Sequence, residues 1–178
     1  MNKSVISWIL FDVANTVFNL GVLGLFLPLW INHRQGTTDA DLGFPVAIAM
    51  VVVLILSPFL GALTDQSRGR IRAFTVLNIL AASATYIFGF INSVPVNLVI
   101  FCVAFVCVYL AELLYNAMLS EASTPANRGK VGGLGIGLGN LGSLALIVFA
   151  LQYEDANSDY ALAFRFIAVI FLLAALPI

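Results

Sequence analysis

Two acidic side chains stand inside long apolar segments, where a charged group is costly. Asp12 lies in the first of these segments and Glu112 in the fourth. A carboxylate at the centre of a bilayer costs about 2.5–3.5 kcal/mol on insertion scales, so both need a compensating environment. Buried carboxylates of this kind carry protons or bind cationic groups along transport pathways. A structural alternative stays open, in which each one anchors a hydrogen-bond network or pairs with residues outside this chain.

Each of the two acidic residues belongs to a stripe of polar residues along one helix face. Residues three and four apart share a face of a helix, and both segments show this spacing. The stripes are Asp12, Asn15, Thr16 and Asn19 in the first segment, and Tyr109, Glu112 and Asn116 in the fourth. At a rise of 1.5 Å per residue, the two carboxylates lie about 9 Å and about 12 Å from the same membrane face. We therefore predict one substrate or proton pathway, formed by Asp12, Asn15, Asn19, Tyr109, Glu112 and Asn116.

The elements that position these residues follow from the composition. The 178 residues are 61% hydrophobic and 10% charged, whereas soluble domains are roughly 45–50% apolar and about 25% charged. Six segments approach the roughly 20 apolar residues that a membrane-spanning helix needs. They are 6–31, 44–64, 72–91, 95–119, 131–151 and 161–178. Because lipid leaves open strand edges without hydrogen-bond partners, we predict one all-α membrane domain of six transmembrane helices, with the lipid bilayer as its surroundings.

Basic residues set the predicted orientation. Cytoplasmic loops retain lysine and arginine, and these collect at the N-terminus and in the second and fourth loops. They are Lys3, Arg68, Arg70, Arg72, Arg128 and Lys130. We therefore expect a multi-pass protein of the inner (plasma) membrane with a cytoplasmic N-terminus. The net charge of −1 argues against a nucleic-acid partner, which would require a basic surface.

The last apolar segment ends at Leu173–Ile178 without a charged flank. Interfacial anchors normally follow a membrane helix, so we expect a chain cut before a second half. A genuinely short protein is the alternative.

The second loop carries a motif typical of a known family. Its sequence is Gly61-Ala-Leu-Thr-Asp65-Gln-Ser-Arg68-Gly69-Arg70-Ile-Arg72. This loop resembles the signature between helices two and three of the major facilitator superfamily, G-x-L-x-D-x-x-G-R-[RK], with one extra residue after the aspartate. The resemblance implies a conformational gate, formed here by Gly61, Asp65, Gly69, Arg70 and Arg72, in which acidic and basic groups hold two halves of a transporter together. Arginines that only enforce the orientation are the alternative.

Two further segments narrow the resemblance. They are Ser7-Trp8-Ile-Leu-Phe11-Asp12-Val-Ala14-Asn15-Thr-Val-Phe18, and Tyr115-Asn116-Ala117-Met-Leu-Ser-Glu121 followed by Thr124-Pro125-Ala-Asn-Arg128-Gly129-Lys-Val131. Both are similar to the unknown-major-facilitator family, which includes autophagy-related vacuolar exporters. The resemblance implies the N-terminal six-helix bundle of a proton-linked or facilitated carrier of small molecules, with helices one and four beside the central cavity. Fungal relatives export amino acids. The partner would be a missing C-terminal six-helix half or a second copy.

Helix five is rich in glycine. Gly133, Gly135, Gly137 and Gly139 form small-xxx-small pairs on more than one face, and such residues let membrane helices approach closely. Two interpretations stay open, namely tight packing alone or a surface that slides during alternating access.

Other chemistry finds little support in the sequence. His33 is alone in the first loop and is interpreted as a solvated loop residue, and Cys102 and Cys107 are interpreted as packing residues. We therefore expect no metal site, no cofactor and no enzymatic activity, since neither H-E-x-x-H nor G-x-S-x-G occurs. The predicted function is secondary transport of a small polar solute, such as an amino acid, by proton-linked alternating access. The alternatives are a self-pairing six-helix membrane protein and a non-transporting assembly factor.

Overall fold

The computed structural model describes residues 3–33, 39–64, 67–122, 128–153 and 159–175. These ranges are helical apart from short turns, and they contain no strand. The first helix, α1, consists of α-helical Lys3–Phe18, π-helical Asn19–Phe26 and α-helical Leu27–Asn32. The others are α2 (Asp39–Leu63), α3 (Ser67–Ile87), α4 (Val94–Ala122), α5 (Arg128–Ala150) and α6 (Tyr160–Ala175). The predicted all-α membrane fold is confirmed.

Length and composition alone mark four of these helices as membrane spans. They cover 5–32, 40–63, 94–118 and 128–150. The other two are less typical, because α3 starts in the arginine-rich loop and α6 has only 16 described residues. The end of the sixth predicted span, 176–178, lies outside the described residues.

The third helix lies earlier in the chain than the apolar pattern predicts. It covers Ser67–Ile87 rather than 72–91, because a turn held by side-chain hydrogen bonds follows Ile87. Gly89 has a φ of +85°, and its N–H donates to Oδ1 of Asn97 at 2.8 Å. The Asn97 amide donates in turn to the carbonyl oxygens of Ile91 and Ser93 at 2.7 and 2.9 Å. One buried asparagine thus provides hydrogen-bond partners for backbone groups of the turn between α3 and α4.

The packing of the six helices has a pseudo-twofold pattern. The main neighbours of α1 are α5, α6 and α4, and those of α4 are α2, α3 and α1, while α3 packs on α6. Exchanging the first three helices with the last three reproduces these pairings. This pairing pattern is the one expected of an internal repeat of three helices.

Aromatic side chains fill the centre between α1, α3, α4 and α6. Phe11 of α1 contacts the rings of Phe74, Tyr115 and Phe171, with centroids 4.7, 4.6 and 6.3 Å apart. A second group lies toward the C-terminal end of α1, where the rings of Trp30 and Phe88 have centroids 4.9 Å apart. Edge-on and tilted ring pairs of this kind stabilise a core beyond the area they bury. They fix α1 against three neighbours.

Helix α2 contributes little to this core. Only 6% of its apolar span is buried inside the bundle, whereas 50% of the apolar span of α1 is buried. Large side chains such as Phe44, Leu54 and Phe59 are exposed along it. A helix that is apolar on all sides suits lipid or another membrane segment. The outward face of α2 can therefore contact either one.

Candidate functional site

The polar stripe of α1 is held in place by short hydrogen bonds along the helix. The Asn19 amide donates to the backbone oxygen of Asn15 at 3.1 Å and to its Oδ1 at 3.2 Å. The Thr16 hydroxyl donates to the backbone oxygen of Asp12 at 2.8 Å. Asn15 is buried, whereas Asp12, Thr16 and Asn19 are half-buried. These bonds hold the side chains of Thr16 and Asn19 along the helix.

Helix α4 brings its carboxylate to this stripe. The side chain of Asn15 lies within hydrogen-bonding reach of Glu112, and Glu112 interacts electrostatically with Asp12. Tyr109 is half-buried next to Glu112 and packs on Phe105, with ring centroids 4.4 Å apart. The two predicted stripes therefore meet where α1 crosses α4.

Not every predicted member joins this cluster. Asn116 is exposed, so it lies on a surface of α4 that the described residues leave uncovered. The preceding residue, Tyr115, is directed at the cluster instead. It is 2% exposed and stacks on Trp8, with ring centroids 4.5 Å apart. Its hydroxyl is directed at Asp12, yet neither that hydroxyl nor Oδ2 of Asp12 completes a hydrogen bond among the described residues. The sequence indicated Trp8 and Tyr115 only as parts of family motifs.

Helix α5 closes the other side of the stripe through two of its glycines. Gly135 lies directly against the Asp12 carboxylate, and a Cβ atom on Gly139 would be 2.7 Å from Oγ1 of Thr16. Only glycine leaves room for these polar side chains. In contrast, Gly133 and Gly137 have nothing within 4 Å of an added Cβ. The four glycines therefore occupy two different faces, one packed on α1 and one open.

A polar groove lies between α1 and α5, beyond the carboxylates toward the C-terminal end of α1. We call it the α1–α5 groove; it is open on one side and has a volume of about 660 Å³. Its lining residues are Asn15, Thr16, Asn19, Leu20, Leu23, Gly24, Asn140, Ser143, Leu144 and Ile147. Sequence reasoning missed Asn140 and Ser143. The signal that could have found them is helical spacing, because Ser143 follows Asn140 by three residues and Gly139 by four and therefore shares a face with both.

The gate motif is only partly described. Asp65 and the side chain of Arg68 lie outside the described part of the structure, and so does the predicted charge network that depends on Asp65. Gly61 has open space around it, and Gly69 packs near the backbone of Leu63 and Thr64. At the start of α3, Arg70 is half-buried and Arg72 is exposed. The role of the motif stays a prediction.

The prediction that His33 is a solvated loop residue is wrong. This histidine is half-buried at the end of α1, where Nδ1 lies 2.7 Å from the oxygen of Leu29 and 2.8 Å from the hydroxyl of Tyr160. It thereby links α1 to the start of α6. The described residues contain no group of three potential metal ligands. Cys102 and Cys107 are free thiols on α4.

Comparison with known proteins identifies the class. Residues 13–178 match the model of the Major Facilitator Superfamily, and the chain belongs to this family of membrane transporters. An uncharacterized protein of Aquifex aeolicus is 25% identical over 173 residues, which are 97% of this chain and 43% of the relative. An uncharacterized MFS-type transporter of Bacillus subtilis, YxiO, is 25% identical over 154 residues, 82% of this chain and 36% of the relative. The chain thus spans less than half the length of both curated relatives.

Proposed function

We propose that this chain forms half of a secondary active transporter that moves a small polar solute by proton-linked alternating access. Its other half would be a C-terminal six-helix bundle or a second copy. The observation that carries the proposal is the meeting of Asp12 and Glu112 where α1 crosses α4. Two carboxylates that interact electrostatically inside a membrane disfavour each other's ionisation, so protonation of one or binding of a cationic group would stabilise the pair.

The surroundings of Asp12 support a role in coupling. The Tyr115 hydroxyl is directed at this carboxylate, yet the Oδ2 atom completes no hydrogen bond among the described residues, and Gly135 leaves no room for a further side chain beside it. A carboxylate held only to stabilise the fold would be expected to have its oxygens paired. We therefore assign proton transfer to Asp12, and binding of a cationic or amino group to Glu112.

The location and orientation form part of this proposal. The protein would lie in the inner (plasma) membrane with its N-terminus in the cytoplasm, as the distribution of lysine and arginine favours. The exposed faces of α2 and α5 fit contact with the other half. Amino acids are the solutes that the family resemblance implies.

The test uses proteoliposomes that contain the complete protein and a pH-sensitive dye. A panel of neutral amino acids and polyols is screened for solute-induced proton movement, and the most active solute is then used in radiolabelled form. Asp12→Asn should abolish accumulation driven by a pH gradient and leave solute exchange measurable. Asp41→Asn, at the exposed start of α2, is the matched control and should behave as wild type. Wild-type accumulation by Asp12→Asn would exclude Asp12 as the coupling residue.

A further inference from the structure

The α1–α5 groove has a chemistry different from that of the carboxylate cluster. Five of its lining residues are polar, and none is charged: Asn15, Thr16, Asn19, Asn140 and Ser143. The rest of the lining is leucine, isoleucine and glycine. Small-molecule sites typically measure roughly 300–1,000 Å³ and combine an apolar wall with a few polar groups. At about 660 Å³, the groove is of this kind.

One polar group in the groove is buried without a partner. Ser143 is 7% exposed, and its Oγ atom makes no hydrogen bond among the described residues. An unpaired buried hydroxyl is unfavourable, because it gives up its bonds to water without replacing them. A ligand in the groove would remove this cost. The serine hydroxyl can both donate to the ligand and accept from it.

The α1 side of the groove offers mainly acceptors. Asn19 donates its amide to Asn15, which leaves its own Oδ1 atom for a ligand. Thr16 donates its hydroxyl hydrogen to the Asp12 backbone, which leaves the oxygen lone pairs. These acceptors require donor groups on the ligand, and Ser143 opposite them accommodates donors or acceptors.

We propose that the α1–α5 groove binds an uncharged, polyhydroxylated solute. Each hydroxyl of such a solute donates and accepts, so it satisfies Asn19, Thr16 and Ser143 together. Its C–H faces would pack on the leucines of the lining. A carboxylate would find no cationic partner in the lining. The inference rests on the proposed transport function but changes its solute from an amino acid to a polyol or sugar, so that Glu112 would accept a hydrogen bond from a hydroxyl instead of binding an amino group.

The test measures binding, for which no gradient is needed. The complete protein is purified, and its thermal stability is followed during titration with D-glucose, sorbitol and myo-inositol. L-alanine and lactate serve as zwitterionic and anionic probes. We expect saturable stabilisation by at least one polyhydroxylated probe and none by lactate or L-alanine. Ser143→Ala should weaken that binding about fivefold, the loss expected for one neutral hydrogen bond.

A matched variant separates this site from general effects of removing a serine. Ser57 of α2 donates to the Val53 oxygen at 2.6 Å, and Ser57→Ala should leave the affinity unchanged. Asn19→Leu tests the opposite wall and should also weaken binding. Absence of binding by all three polyhydroxylated probes, or binding that Ser143→Ala and Asn19→Leu leave intact, would overturn the inference. Proton-coupled uptake of an amino acid without polyol binding would overturn only this inference, whereas polyol binding without transport would overturn only the proposed function.

Discussion

At the scale of single residues, the site is defined by what surrounds two carboxylates. Asn15, a buried amide three residues after Asp12, reaches Glu112 and accepts from Asn19. Asp12 instead faces a glycine and the hydroxyl of Tyr115. The two acids therefore have different surroundings, although both lie in predicted membrane spans. This difference is the basis for giving them separate roles.

Glu112→Gln should weaken solute binding rather than coupling. Removing the charge takes away one charge-assisted contact to the solute, which contributes about 1.5–3 kcal/mol. The apparent affinity should therefore fall about tenfold or more, both in exchange and in gradient-driven uptake. Radiolabelled uptake in proteoliposomes measures both. A loss confined to gradient-driven uptake would assign Glu112 to coupling instead.

Asp65→Asn tests the gate motif, which the family resemblance assigns to conformational control. We expect the variant to be expressed and folded nearly as the wild type, while transport falls strongly. Membrane protein yield and initial uptake rates are measured on the same preparations. An equal loss of folded protein and activity would show that Asp65 has a structural role.

At the scale of elements, α1 depends on close contact with α5. Gly139 and Gly142 meet Thr16 and Val17, where an added Cβ atom would lie 2.7 and 3.0 Å from the nearest side-chain atom. In lipid, helices associate by such close packing because hydrophobic burial gives them little advantage. The π-helical segment Asn19–Phe26 follows directly along α1 and lines the groove. Segments of this kind are often found at functional sites.

Gly139→Leu should therefore destabilise the protein more than Gly137→Leu, because Gly139 packs on α1 whereas Gly137 lies on the open face of α5. Forcing a large side chain into a packed contact costs typically about 1–3 kcal/mol, whereas Gly137 has nothing within 4 Å of an added Cβ. Thermal unfolding of the two purified variants, followed by intrinsic fluorescence, makes the comparison. An equal loss of stability would mean that the face carrying Gly137 is covered by another part of the complete protein.

At the scale of the whole molecule, two three-helix units form one bundle. Their pairings match after exchange of the units, and α1 and α4, which carry the two carboxylates, exchange with each other in this pattern. The proposed site therefore lies where the two units join. The exposed faces of α2 and α5 leave the bundle with surface for a second half.

Orientation can be tested by cysteine labelling in intact cells. A single cysteine at Gly69 or Asn127 should react only after the cytoplasm becomes accessible, because basic residues surround both positions. A single cysteine at Thr38 or Asn157 should react from outside with a membrane-impermeant maleimide. Labelling at Gly69 from outside would reverse the proposed orientation.

The sequence by itself determined the helical membrane fold, because apolar length and the lack of hydrogen-bond partners in lipid leave few other structures. It also determined the two polar stripes, since helical spacing is local. The predicted end of α3 was wrong, because a side chain of the next helix, Asn97, holds the turn at Gly89 that follows α3. The proposed site residues Asp12, Asn15 and Glu112 could be named, but the contact between α1 and α4 that brings them together could not be derived from spacing alone.

Only the tertiary structure decided which faces meet. It packed Gly135 and Gly139 of α5 against α1 and left Gly133 and Gly137 open, although all four look alike in the sequence. It also buried a serine of α5 in the groove and paired the histidine at the end of α1 with a tyrosine 127 positions away. The physical reason is that helices with apolar residues on every side give no local signal of their partners. Their contacts depend on the close fit of side chains from distant parts of the chain.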